Sequence, residues 1–201
     1  MNLEMYTCGA FATNCYILEH ENTVLVIDPN GKAQKLIDRL KDRKITAILL
    51  THGHFDHIGA VDDLVKVYHC PVYIHPADQI LLEDESLNGM SGYTAHVRSR
   101  TVPLQEGSLT IGDIPLQITE APGHTAGSVM ISAGKSCFCG DVVFKGSVGR
   151  TDLPLGSESQ MRQTLKRIRT MDPETVFYPG HGPSTTLAEE LQFNPYLKAH
   201  R

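Results

Sequence analysis

Four side chains able to hold a metal ion fall within six residues of this sequence: His52, His54, Asp56 and His57, in the run Thr51-His52-Gly53-His54-Phe55-Asp56-His57. Imidazole nitrogen and carboxylate oxygen suit zinc, iron or manganese. The apolar run Ile45-Thr46-Ala47-Ile48-Leu49-Leu50 lies directly ahead of them. It reads as a buried strand that delivers the cluster to a loop, a firmer mounting than a free loop would be. Three more candidates lie downstream: His124 in Ala121-Pro122-Gly123-His124-Thr125, Asp141 in Cys139-Gly140-Asp141, and His181 in Tyr178-Pro179-Gly180-His181-Gly182. Each follows an expected strand and sits beside glycine, which permits tight turns and close backbone approach. A lone histidine is more often a surface or satisfied core residue. Taken together, these five histidines and two aspartates suffice for two sites of three protein ligands with a shared carboxylate and water.

The elements that must position these residues follow from apolar spacing. Cys15-Tyr16-Ile17-Leu18 and Val24-Leu25-Val26-Ile27 read as a hairpin turning through the polar His20-Glu21, and the second strand is ended by the turn signal Asp28-Pro29-Asn30-Gly31. Ala33, Leu36, Ile37 and Leu40 recur at helical spacing over 32–41 and lead into the strand at 45–50. Ile58, Val61, Leu64, Val65 and Tyr68 predict a second helix from near Gly59, its first turn beside the cluster, where a helix amino terminus favours anions such as Asp56. A strand at 72–74 and a short helix over 76–82 come next. The segment 86–100, rich in Ser, Gly, Asn and Arg without clean periodicity, reads as a mobile surface segment. The second half predicts strands at 108–111, 115–120, 127–132 and 136–139, a helix at 159–170 and a strand at 175–178. Strands in runs in both halves, with helices between, point to an α/β fold of two face-to-face sheets with helices outside, a four-layer αβ/βα sandwich.

With 201 residues, 41% hydrophobic and 20% charged, the chain has enough apolar material for a packed core and is read as one domain, 1–201. A formal charge of −5 and the lack of a long basic run argue against a nucleic-acid partner. Cys8, Cys15, Cys70, Cys137 and Cys139 are odd in number and scattered, which predicts reduced, mostly buried thiols rather than a disulfide framework. Strand alternation turns Cys139 toward the core while Asp141 reaches the site. The start Met1-Asn2-Leu3-Glu4-Met5-Tyr6 lacks a basic region before an apolar core, and no apolar run approaches about 18 residues. A soluble cytoplasmic protein with no membrane partner is the expectation. Asp28, at a strand end, is a candidate for orienting a ligand histidine, with a plain turn aspartate as the competing reading. His20, His69, His75, His96 and His200 lack motif support and read as structural or surface residues.

The spacing His52-x-His54-x-Asp56-His57 resembles the signature of the metallo-β-lactamase superfamily, and the likeness spans nearly the whole chain. The resemblance implies one metal on His52, His54 and His124, a second on Asp56, His57 and His181, and Asp141 bridging both. It makes Asp56 and Asp141 the acidic members of the catalytic centre. His54 stands where flavodiiron proteins usually have glutamate, and Asp141 where zinc β-lactamases use cysteine. Gly149-Arg150-Thr151-Asp152-Leu153-Pro154, His181-Gly182-Pro183-Ser184-Thr185-Thr186 and Asn194-Pro195 resemble the short glyoxalase II-like hydrolases of bacteria. The longer enzymes of that group carry a carboxy-terminal helical glutathione-binding region, and only twenty residues follow His181 here.

What the resemblance implies is hydrolysis of a small-molecule thioester, an S-2-hydroxyacyl thiol such as S-lactoylglutathione, as in methylglyoxal detoxification. Two divalent ions, zinc first and iron or manganese also suited, would lower the pKa of a bridging water from about 15.7 to about 7. A departing thiol, of pKa about 8.5, needs no dedicated general acid. Arg150 falls where the longer enzymes place a lysine near the thiol, and its guanidinium can pair with a substrate carboxylate; the competing reading is an arginine that ties its own loop. Lys145 is a further candidate for substrate binding, weighed against a solvated surface lysine. A persulfide dioxygenase of the same superfamily, with one iron on positions matching His52, His124 and Asp141, is the alternative. A metal-dependent nuclease or a noncatalytic binding module fits less well, given the acidic chain and the complete ligand set.

Overall fold

The computed structural model describes residues 1–90 and 92–198. The first half builds a six-stranded sheet from β1 (Asn2–Cys8), β2 (Thr13–His20), β3 (Thr23–Ile27), β4 (Ala47–Leu49), β5 (Val72–Ile74) and β6 (Thr101–Pro103), in that spatial order. The hairpin expected at 15–18 and 24–27 is the antiparallel β2–β3 pair, with Tyr16 opposite Ile27 and Leu18 opposite Leu25. From β3 onward the strands run parallel, so each connection must cross back over a face of the sheet. The crossing elements are α1 (Ala33–Leu40), the short α2 (Phe55–Ile58), α3 (Val61–Tyr68), α4 (Gln79–Glu83) and α5 (Glu85–Asn88).

A second six-stranded sheet takes β7 (Gly107–Ile111), β8 (Ile114–Glu120), β9 (Val129–Ala133) and β10 (Ser136–Gly140), then, after the small hairpin of β11 (Val143–Phe144) and β12 (Ser147–Val148), β13 (Val176–Pro179) and β14 (Thr185–Thr186). The helices α6 (Glu158–Ile168) and α7 (Leu187–Phe193) belong to this half.

Side-chain alternation sorts the apolar residues into three layers of core. Tyr16 and Leu18 of β2, Leu25 and Ile27 of β3, and Ala47 and Leu49 of β4 face Ile114, Leu116, Ile118, Val129, Ile131 and Phe138 of the second sheet. The intervening Ile17, Val24, Val26 and Ile48 turn the other way, onto Leu36 and Leu40 of α1 and Val61 and Leu64 of α3. On the far side, Met130, Cys137, Cys139 and Phe177 pack on Met161, Leu165 and Ile168 of α6 and Leu187 of α7. This is the four-layer αβ/βα sandwich that the strand runs suggest. Both faces of β4 are covered, which is why all three of its residues are buried and why its sequence reads as a continuous apolar run.

Differences from the sequence reading concern short elements. The helix expected from near Gly59 is α3, with α2 a separate turn ahead of it over the ligand residues, and that expected over 76–82 is a 3-10 turn at Pro76–Asp78 followed by α4. The segment 86–100 is packed in part: Asn88 is buried and donates to the carbonyls of Leu81 and Ala95, and Val97 joins the core under α3. All five cysteines are free and buried, Cys139 in the core beneath α6 as alternation requires. His75 is structural, its Nδ1 accepting from Ala77 N–H and capping the Pro76–Asp78 turn. His200 lies outside the described residues. Among those described, no helix is long and apolar enough to cross a membrane.

Candidate metal centre

The seven candidate ligands all emerge where strands end. His52, His54, Asp56 and His57 follow β4, His124 follows β8, Asp141 follows β10 and His181 follows β13. Ligand sites in open α/β sheets lie beyond the carboxyl ends of the strands, and here the edge of the sandwich lets loops from both sheets converge.

The donor atoms of His52, His54 and His124 lie within 4.8 Å of one another, and those of Asp56, His57 and His181 form a second such trio. The carboxylate of Asp141 stands between them. Its Oδ2 is 3.5 Å from His124 Nε2 in the first trio and 3.5 Å from His181 Nε2 in the second, and its Oδ1 is 3.5 Å from His57 Nε2. Asp28, His52 and His57 are also close. However, the oxygens of Asp28 already accept from Thr51 N–H at 2.8 Å, Thr51 Oγ1–H at 2.6 Å and His57 Nδ1 at 2.9 Å, so Asp28 orients rather than ligates.

Each ring except that of His54 is held by its Nδ1, which aims Nε2 inward. His57 is held by Asp28, His124 by the carbonyl of Arg150 at 2.8 Å, and His181 by the carbonyl of Phe11 at 3.0 Å. Thr51 Oγ1, whose own proton goes to Asp28, receives His52 Nδ1 at 3.1 Å. His54 presents Nδ1 to the centre, 2.9 Å from His124 Nε2. The inward atoms His52 Nε2, His57 Nε2 and Asp141 Oδ1 are buried without a hydrogen-bond partner. Buried polar atoms are normally satisfied, and a nitrogen and oxygen donor set left open at a common point is what divalent ions would complete. The residues therefore suit two ions: His52, His54 and His124 could hold one, and Asp56, His57 and His181 the other.

Backbone fit brings the loops close. A Cβ at Gly180 would strike Asp141 Oδ1 and approach His57 Cε1 to 2.5 Å, and a Cβ at Gly149 would strike the carbonyl of Asp141. The His181 loop is tied to the first sheet by Asn14 N–H to the carbonyl of Gly180 at 2.7 Å, by Asn14 Nδ2 to the carbonyls of Pro179 and Gly182, and by the Tyr16 hydroxyl to the carbonyl of Pro179 at 2.6 Å. Thr13 Oγ1 donates to Asp56 Oδ2 at 3.1 Å.

The electrostatics of the ion-free centre are those of acids sharing protons with histidines. Burial opposes charging His57, yet the carboxylates of Asp56, Asp141 and Asp28 hold it well above the usual histidine range. Burial likewise opposes charging His181, but Asp141 and Asp56 push it up to about 9. Against its own burial, Asp141 is held well below the usual carboxylate range by His57 and His181. Burial and neighbouring imidazoles force His52 well below its usual range and His54 down to about 3. The carboxylates thus favour positive charge at His57 and His181.

A cavity of about 410 Å³ opens over the ligands. Phe11, Phe55, Met90, Phe144, Val148 and Leu153 make its apolar wall, and α5 and the residues after it supply Leu87 to Met90. Arg150 lines this cavity, but its guanidinium already forms a two-pronged pair with Asp152, both contacts 2.8 Å, and touches Met90 Sδ at 3.6 Å. Lys145, the other sequence candidate for substrate binding, does not line the cavity; it is ion-paired with Glu189 at 2.8 Å. The sequence reading missed the carbonyl of Phe11, the Thr13–Asn14–Tyr16 ties and the buried Asp78. Nothing in their local sequence sets them apart, because their partners lie up to 170 residues away.

Fold and donor set together define a metal-dependent hydrolase of a known superfamily. Residues 8–181 match the family model described as the metallo-beta-lactamase superfamily, and the chain belongs to that family. It is 30% identical to the hydroxyacylglutathione hydrolase GloC of Haemophilus influenzae over 99% of each chain. Among solved structures it is similar to the BLEG-1 B3 metallo-beta-lactamase, with 37% identity, a TM-score of 0.92 and coverage of 98% of this chain and 100% of that one. It is also similar to TTHA1623 in a di-iron-bound form, with 38% identity, a TM-score of 0.89 and coverage of 96% and 100%.

Proposed function

We propose that this protein is a binuclear hydrolase of small acyl thioesters, with S-2-hydroxyacyl thiols such as S-lactoylglutathione as its substrate class. The observation that carries the reading is the position of Asp141 between two complete trios of donors. Two ions, zinc or iron, would make water acidic enough to supply hydroxide near neutral pH and would polarise the substrate carbonyl. The similarity to a di-iron protein supports both the count and the suitability of iron.

The cavity supports a thioester in particular. Apart from the candidate ligands, Arg150 is the one ionisable side chain among the described residues that line it, and Arg150 stays charged. Among the described lining residues, no side chain beyond the candidate ligands is therefore free to protonate a departing amine, whereas a thiolate leaves without one. The apolar wall seats the organic arms of the substrate and keeps bulk water from the carbonyl. Arg150, at the rim, would meet a carboxylate of the thiol carrier by exchanging its Asp152 partner. The full-length likeness to a hydroxyacylglutathione hydrolase points the same way.

A panel of lactoyl thioesters of glutathione, coenzyme A, cysteine and bacillithiol tests the reading. Turnover of at least one, abolished by chelator and restored by zinc or iron, is expected. Failure with all four, alongside oxygen uptake on a persulfide by a one-iron protein, would replace it with the dioxygenase alternative.

A further inference from the structure

Resting on the two-ion reading above, we infer that Asp78 is a positioning residue for the three-histidine half of the centre, clasping the two loops that carry its ligands. Those ligands come from different sheets: His52 and His54 from the loop after β4, His124 from the loop after β8. Something must hold the two loops in fixed register, since ligand placement errors well under an ångström weaken a metal site.

Asp78 ends the 3-10 turn after β5 and is fully buried. Its Oδ2 accepts from Gly53 N–H at 3.0 Å, the peptide between His52 and His54, and from Thr125 Oγ1–H at 2.7 Å, the residue after His124. Its Oδ1 accepts from Gly127 N–H at 2.6 Å. One carboxylate thus joins both loops through three donors. The surroundings are shaped around it. A Cβ at Gly127 would come within 2.7 Å of both Asp78 N and Oδ1, and a Cβ at Gly53 would come within 2.7 Å of Leu81 Cβ and 3.0 Å of the Asp78 carbonyl. Among the described residues, Asp78 has no cation within ion-pair distance, so its desolvation is offset mainly by these hydrogen bonds, with a smaller contribution from the more distant His75. A buried carboxylate kept without a counter-charge, yet spanning two ligand loops, is a geometric device.

Asp28 makes the parallel arrangement on the other side, fixing His57 and the Thr51 backbone. Asp28 also reaches His52 through Thr51 Oγ1, whereas Asp78 touches only the loops of the three-histidine half, so a loss confined to that half is what an experiment can see. Wild type, Asp78→Asn and Thr125→Val are loaded with zinc and titrated with a chelator while bound ions per chain are counted. Circular dichroism reports whether each is folded. Proton NMR of the cobalt-loaded proteins identifies the surviving ligands, because imidazole N–H protons of ion-bound histidines shift out of the ordinary range.

Both variants should lose one ion with affinity lowered by about 10- to 100-fold, the range for partners that orient metal ligands. The signals of His52, His54 and His124 should disappear first, while those of His57 and His181 persist. Loss of both ions together, or at the wild-type chelator concentration, would overturn the role of Asp78. Thr125→Val removes one donor and leaves the carboxylate in place, so it decides the matter even if Asp78→Asn does not fold. A wild type that holds fewer than two ions would instead defeat the two-ion reading, and the inference with it.

Discussion

His181 shows how the centre trades protons for ions. Its ring is partly exposed, and Asp56 Oδ2 at 3.2 Å and Asp141 Oδ2 at 3.5 Å raise it from about 6.5 in an unfolded chain to about 9. The proton stabilises the ion-free fold fully below the unfolded value, and that contribution is lost as pH rises through the folded one. Ion-free protein should therefore lose stability between about pH 7 and pH 9, measured by urea unfolding, and ion affinity should climb over the same range because proton and ion compete for Nε2. An ion affinity flat with pH would contradict this. Also at this scale, Asp141→Ala should cost far more turnover than Arg150→Ala, since the first removes the group shared by both trios and the second a positioning cation at the rim. The arginine change should mainly raise KM. Equal turnover in wild type and the Asp141 variant would sink the assignment.

Strand ends explain what the elements contribute, and they also explain why the seven candidate ligands were legible in sequence. All lie within eight residues of the end of a recognisable strand, His124, Asp141 and His181 within four, and β4 in particular reads as buried on both faces. Elements without a clean pattern were not legible. β1 is an edge strand whose polar residues pair across to the helix layer, Glu4 with Arg39 and Arg43, so its alternation is not that of a core strand. β6, β11, β12 and β14 have two or three residues each, too few to show a period. The clasp of Asp78 and the tie from Tyr16 to the His181 loop are contacts across 47 and 163 residues, which no local pattern announces. Tyr16→Phe tests the latter. The carbonyl of Pro179 keeps its bond from Asn14, so the loss should be about 1 kcal/mol. No change in the urea midpoint would show that the hydroxyl does not join the sheets.

At the scale of the whole molecule, the layer between the two sheets sets the alignment of the loops at the edge. Phe138 is fully buried at its centre, on β10 just ahead of Asp141, and packs against Tyr16 and Tyr178. Phe138→Ala should cost about 3–5 kcal/mol by denaturant unfolding; a loss under about 1 kcal/mol would mean that the sheets are not held by this core. The count of ions is the most direct test of the central claim. Protein purified without added chelator, with metal measured on the same sample that is assayed for lactoyl thioester hydrolysis, should hold close to two ions per chain, with turnover vanishing when they are stripped and returning on reloading. One ion per chain with full hydrolytic activity, or hydrolysis that survives complete stripping, would contradict it.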